Sequence, residues 1–128
     1  MGYYSDVTLI LNSDAEAKLQ KALADGIAAE AREFIENAGF VRRAPDGAAL
    51  YQWKCIKWYS DFPEVRFIER FMQDISYGSY YFIRIGEDYD DIEFAGAYDC
   101  EPFGICLERY VSVQAVEDVE SAAAVSAA

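Results

Sequence analysis

A chain of 128 residues and 14.4 kDa is sized for one domain, and 53% hydrophobic with 27% charged residues is the composition of a folded protein with a real core. No apolar run approaches the ~18 residues of a membrane-spanning helix. The start, Met1-Gly2-Tyr3-Tyr4-Ser5-Asp6, lacks the basic-then-apolar order of a secretion signal and has Asp6 where a myristoylation pattern needs Ser or Thr, so a cytoplasmic protein is expected.

Charge is the strongest numerical feature. Twenty-three acids against eleven bases give −12, and residues 85–128 carry −10 of it, with Arg109 their single base. Such a field repels nucleic acid and anionic membranes and favours basic partners. There is no histidine, which removes the usual general base, the usual partner of a Ser or Cys nucleophile and the commonest zinc ligand. Cys55, Cys100 and Cys106 are odd in number and form no CxxC. Buried reduced thiols are expected, with a Cys100–Cys106 bridge as the alternative.

In chain order, Tyr3 to Leu11 alternates and then runs apolar, which predicts a first strand. Ser13 with Glu16 forms a capping-box pattern that opens one helix over 14–37, with Leu19, Leu23, Ile27, Ala31, Phe34 or Ile35, and Ala38 on its buried stripe. Asp14–Lys18 and Arg32–Glu36 are i,i+4 pairs on its exposed side. Asp25-Gly26 is its weak point, because a mid-helix Gly costs ~1 kcal/mol relative to Ala. Gly39 suits a helix-ending residue with positive φ.

Residues 40–43 and Ala48 to Tyr59 then read as a hairpin joined by a type I turn over Ala44-Pro45-Asp46-Gly47. Asp61, Pro63 and Glu64 open a second helix whose stripe is Val65, Ile68, Phe71, Met72 and Ile75, with Tyr77-Gly78 as its stop. Ser79–Ile85 and Ile92–Tyr98 form the next hairpin. A loop over Glu87–Asp90 pairs Ile85 with Ile92 and Ile83 with Phe94, and sets Arg84 opposite Glu93 on the other face. A final strand is expected over Ile105–Val113, followed by an acidic, Ala-rich flexible tail over 114–128. The sum is a single α+β domain over 1–113, in the order β-α-β-β-α-β-β-β. Its antiparallel or mixed sheet has five or six strands, with two helices on one face.

Catalytic templates are missing: no GxGxxG after a strand, no Walker loop, no GxSxG and no zinc pattern. No enzyme activity and no cofactor are therefore expected. The acidic segment Gly86-Glu87-Asp88-Tyr89-Asp90-Asp91-Ile92-Glu93 stands out instead. Its carboxylates suit a hard cation in chemistry but not in EF-hand spacing. The other use of such a row is imitation of phosphates. Glu87, Asp88, Tyr89, Asp90, Asp91 and Glu93, with Asp99 and Glu101 nearby, are the candidate partner-binding residues, since a Lys/Arg groove built for nucleic acid reads mostly charge. Aromatic residues are abundant, and Tyr3, Tyr4, Tyr77, Tyr80, Tyr89 and Tyr98 lie near predicted element ends, which leaves an aromatic contact surface and homo-oligomerisation as further options.

Three blocks carry a resemblance: Met1-Gly2-Tyr3-Tyr4-Ser5-Asp6-Val7; Ile56-Lys57-Trp58-Tyr59 with Phe62-Pro63-Glu64-Val65 and Phe67-Ile68-Glu69; and Phe82 to Glu93. In these the chain resembles a family of small tailed-phage and prophage proteins. The likeness covers the first strand and roughly 53–98. It implies a bacterial cytoplasm during infection and assigns no functional residues. By analogy of class alone, a small acidic phage protein without enzyme signatures is expected to inhibit a host nucleic-acid-processing or defence protein, as anti-CRISPR proteins do. The alternative is a phage structural or assembly accessory acting through aromatic contacts.

Overall fold

The computed structural model describes residues 2–26 and 29–99, together with Phe103. Strand β1 (Ser5–Leu11) is followed by helices α1 (Ser13–Ala24) and α2 (Ala29–Glu36). The hairpin β2 (Phe40–Arg43) and β3 (Ala49–Ile56) precedes α3 (Pro63–Asp74), a short 3₁₀ turn (Tyr77–Ser79), and the hairpin β4 (Tyr80–Gly86) and β5 (Ile92–Gly96). The five strands lie in the order β2-β3-β1-β4-β5, and each neighbouring pair is antiparallel. The α+β expectation therefore holds, with three α-helices among the described residues in place of two. The expected final strand over Ile105–Val113 and the tail over 114–128 lie outside the described residues, as do Cys100, Glu101 and Cys106.

The first helical region departs from expectation at both ends and in the middle. The cap is Asn12, whose side-chain oxygen accepts from the Ala15 amide at 2.9 Å, so Ser13 is already helical and the capping box does not form. Glu16 is drawn inward by other partners. Gly26 adopts φ +79° and the helix ends there, which makes two helices of the expected one; the left-handed residue is Gly26 rather than Gly39. From α2, the Arg32 guanidinium donates to the Leu23 carbonyl near the end of α1, which also accepts the Gly26 amide at 3.3 Å, and pairs with Glu36 at 3.5 Å. Asp14–Lys18 makes no ion pair.

Helix α3 carries Pro63 in its first turn, but its cap residue is Phe62 and no side chain caps it, so Asp61 does not take that role. Cys55 also corrects the expectation of buried thiols: it is exposed, with φ +56°. It lies where the β1–β3 register shifts, Ser5 pairing with Ile56 but Val7 with Trp53, so Lys54 and Cys55 together face Asp6. The Asp6 carboxylate accepts the Cys55 amide at 2.8 Å and holds the bulge in place.

All three helices pack on one face of the sheet. Val7, Leu9 and Leu11 of β1, Tyr51 and Trp53 of β3, and Phe82 of β4 join Leu19, Leu23, Ile35, Ile68 and Met72 in one buried cluster. Phe34 stacks on Trp53 with ring centres 4.7 Å apart, and the Trp53 indole N–H donates to the Phe34 carbonyl. Inside this layer Glu16 is buried with only 5% exposure. Its carboxylate accepts from the Tyr51 hydroxyl at 2.8 Å, from Arg43 at 2.6 Å and from Gln20 at 2.9 Å. A buried charge is tolerable only when so partnered. The result ties α1 to the β2–β3 hairpin.

Burial first, and the adjacent Glu16 charge second, push the Tyr51 phenol up to about 12. The folded state thus holds this proton above the ordinary value of 10, so the contribution is complete below pH 10 and is lost as pH rises towards 12. Chemical denaturation of wild type and Tyr51→Phe across that window is expected to show wild type losing on the order of 2–3 kcal/mol more than the variant. At neutral pH, Tyr51→Phe is expected to cost ~1–2 kcal/mol through the lost donor to Glu16. Parallel pH profiles would contradict this reading.

Candidate functional site

The register of β4 with β5 is the expected one: Ile85 with Ile92, Arg84 with Glu93, Ile83 with Phe94. The Gly86 amide donates to the Asp91 carbonyl at 2.8 Å, and the Asp91 amide to the Asp88 carbonyl at 3.1 Å, closing a tight turn over Glu87–Asp90. Glu87, Asp88, Tyr89 and Asp90 are all exposed, and Tyr89 at the apex is 76% exposed.

This turn is held from the far end of the chain. The Tyr3 hydroxyl donates to an Asp91 carboxylate oxygen at 2.6 Å and accepts the Asp88 amide at 3.0 Å. The Tyr4 amide donates to the Glu87 carboxylate at 2.6 Å, and the Tyr3 amide to the Tyr59 hydroxyl at 2.8 Å. Those backbone commitments are why β1 starts at Ser5 rather than Tyr3. Gly86 makes the approach feasible: a Cβ there would lie 2.1 Å from an Asp91 carboxylate oxygen and 2.4 Å from the Tyr3 hydroxyl. The Asp88 amide draws the Tyr3 pKa down, while its bond to Asp91 and the adjoining carboxylates push it up; the balance lies above the ordinary tyrosine value.

Arg84 supplies the second anchor. It donates to Asp91 (2.8 Å), Glu93 (2.8 Å) and the Ser5 hydroxyl (3.0 Å), and its side chain is only 17% exposed. Asp91 first, then Glu93, raise the guanidinium above its already high ordinary pKa, with partial burial opposing.

The eight candidate residues therefore divide. Glu87, Asp88, Tyr89 and Asp90 stand at the tip. Asp91 and Glu93 are turned to Arg84, which cancels part of their charge. Asp99 follows β5 at the other end of the hairpin, where the Ala97 and Tyr98 amides donate to the Tyr77 and Tyr80 carbonyls, so it does not join the turn. Glu101 lies outside the described residues. The acidic row is shorter than the sequence suggests. Tyr3, Tyr4 and Tyr59 were not foreseen as its supports, because a contact spanning 88 residues leaves no local pattern.

Among the described residues, no three carboxylate or thiol groups converge as they would on a metal ion. The arrangement fixes the backbone of the turn from which Asp88, Tyr89 and Asp90 project. Of the tyrosines expected near element ends, Tyr80 is buried, and the exposed Tyr77 and Tyr89 occupy opposite ends of the β4–β5 hairpin.

Arg84→Ala is expected to cost ~2 kcal/mol by leaving Asp91 and Glu93 uncompensated. Tyr3→Phe is expected to cost ~1 kcal/mol. Because both act through Asp91, the double variant should lose at least ~0.5 kcal/mol less than the sum in urea unfolding. Strict additivity would mean that the two anchors do not share a joint.

Set against known proteins, the chain matches no family model, no curated protein and no solved structure.

Proposed function

We propose that this protein is a non-enzymatic binding protein that offers the turn Glu87–Asp90 to a basic, nucleic-acid-binding surface of a partner protein. In its cellular form the reading is a phage-encoded inhibitor of a host nucleic-acid-processing or CRISPR-type defence protein. The observation that carries it is the pinning of the turn. Asp88 and Asp90 flank Tyr89, and the backbone beneath them is tied to Tyr3 and braced by Arg84. A flexible acidic loop would lose conformational entropy on every encounter, whereas this one is ordered beforehand. The −10 carried after residue 84 adds long-range attraction to basic surfaces. The phage-like blocks of sequence supply the infected-cell setting.

The second reading, an assembly accessory working through aromatic contacts, is supported by the exposure of Phe94 (53%) and Tyr77 (63%). It differs in its response to salt.

The test uses tagged protein in bacterial lysate, beside an Asp88→Lys/Asp90→Lys variant that keeps Asp91 and its anchors. Partner recovery is expected to fall tenfold or more in the variant, and to fall similarly between about 0.05 and 0.5 M salt. Recovery of the same partners by the variant at both salt concentrations would overturn the acidic-turn reading in favour of aromatic contacts.

A further inference from the structure

Strand β2 has β3 on one side and no described strand on the other. All four of its residues are exposed, including the apolar Phe40 (44%) and Val41 (40%). The Ala44 amide donates to the Ala48 carbonyl at 2.9 Å, and the register continues with Arg42 opposite Leu50 and Phe40 opposite Gln52. In an antiparallel ladder alternate residues bond a given neighbour. The backbone groups of Phe40 and Arg42 therefore face β3, and the N–H and C=O groups of Val41 and Arg43 point to the open side. Such a row is a template for an added strand.

The side chains around this edge define the strand that fits it. Val41 and Arg43 share the helix side with their partners Tyr51 and Ala49, so Phe40 and Arg42 project from the other face. Arg42 lies over the Phe40 ring at 5.1 Å. On the same face Lys54 stands two residues beyond Gln52, the partner of Phe40, and joins Gly39, Phe40 and Gln52 in lining a groove of about 390 Å³. Arg42 and Lys54 belong to no ion pair among the described residues, whereas Arg43 is committed to Glu16. Two unpaired cations thus flank an exposed ring and an open groove.

The complement is an extended segment that presents acid, apolar group and acid at every second position. One carboxylate meets Arg42, the apolar group covers Phe40, and the second carboxylate meets Lys54. A second copy fits badly, because pairing β2 with itself would gather Arg42 and Arg43 from both chains in one ribbon. The net charge of −12 does not forbid an acidic guest. The acidic turn joins β4 to β5, at least three strand spacings or about 14 Å from β2, beyond the screening length of about 8 Å at physiological salt. We infer that β2 is a second binding surface, which takes an extended acidic and apolar segment of a partner protein as an added strand beside Phe40–Arg43. It is independent of the acidic turn.

The probe is the peptide Thr-Asp-Val-Leu-Val-Glu-Thr, titrated into the ¹⁵N-labelled full chain. The Val41 and Arg43 amides are expected to shift saturably while those of Glu87–Asp90 stay in place. Arg42→Glu/Lys54→Glu is expected to weaken binding at least about tenfold, and to bind instead a peptide with lysine at the two acidic positions. Val41→Pro removes an N–H that faces solvent and not β3, so the domain is expected to stay folded and to lose the peptide. Unmoved Val41 and Arg43 amides at about 1 mM peptide overturn the inference, as does wild-type affinity in either variant. A wild-type dimer that Val41→Pro splits also overturns it, and would give the edge to a second copy.

Discussion

Arg84 sits where three separate pieces of chain meet: β1 through Ser5, the turn through Asp91, and β5 through Glu93. A guanidinium offers five donors in a planar fork, and here that fork serves a carboxylate pair and a hydroxyl at once. With its side chain mostly out of water, these bonds are worth more than a surface pair, and removing the cation would leave two acids facing each other. The tip beyond it has its shape because this joint exists. In a chain with twice as many acids as bases, an arginine spent in this way sets which acids are structural and which remain on offer.

The same economy appears at the opposite end of the sheet. Glu16 would be an ordinary solvent-facing residue of a first helical turn, but Arg43 and Tyr51 reach it from the neighbouring hairpin and hold it inside. Both joints use a charge-assisted network to fix how a hairpin sits on the rest of the fold, one from a strand and one from a helix. Apolar burial supplies most of the driving force; these networks choose the arrangement. Arg43 also lies over the Tyr51 ring, 5.9 Å from its centre, so the donor that compensates Glu16 is itself positioned by packing.

What was legible in the sequence follows the range of the interaction concerned. The β4–β5 register could be read because two apolar pairs and one opposite-charge pair agree on it within a dozen residues. The break at Gly26 is legible as a local weakness, while the Arg32 contact from α2 to the end of α1 is not. The cap was misplaced by one residue. Glu16, the reciprocal member of the expected box, is recruited by groups 27 and 35 residues away, and Asn12 takes the cap alone. Likewise Cys55 is exposed because a bulge opposite Asp6 turns it outward, a consequence of pairing rather than composition. The acidic tip was found by its composition. Its supports, Tyr3 and Tyr4, and its partial neutralisation by Arg84 at Asp91, required the folded chain.

The functional reading rests on an acidic turn that is ordered before any partner arrives. Backbone ¹⁵N relaxation over Glu87–Asp91 tests this most directly. The anchored turn predicts order parameters close to those of the flanking strands, about 0.8 or above. Values below ~0.6 at Asp88–Asp90, beside a rigid β4 and β5, would contradict it.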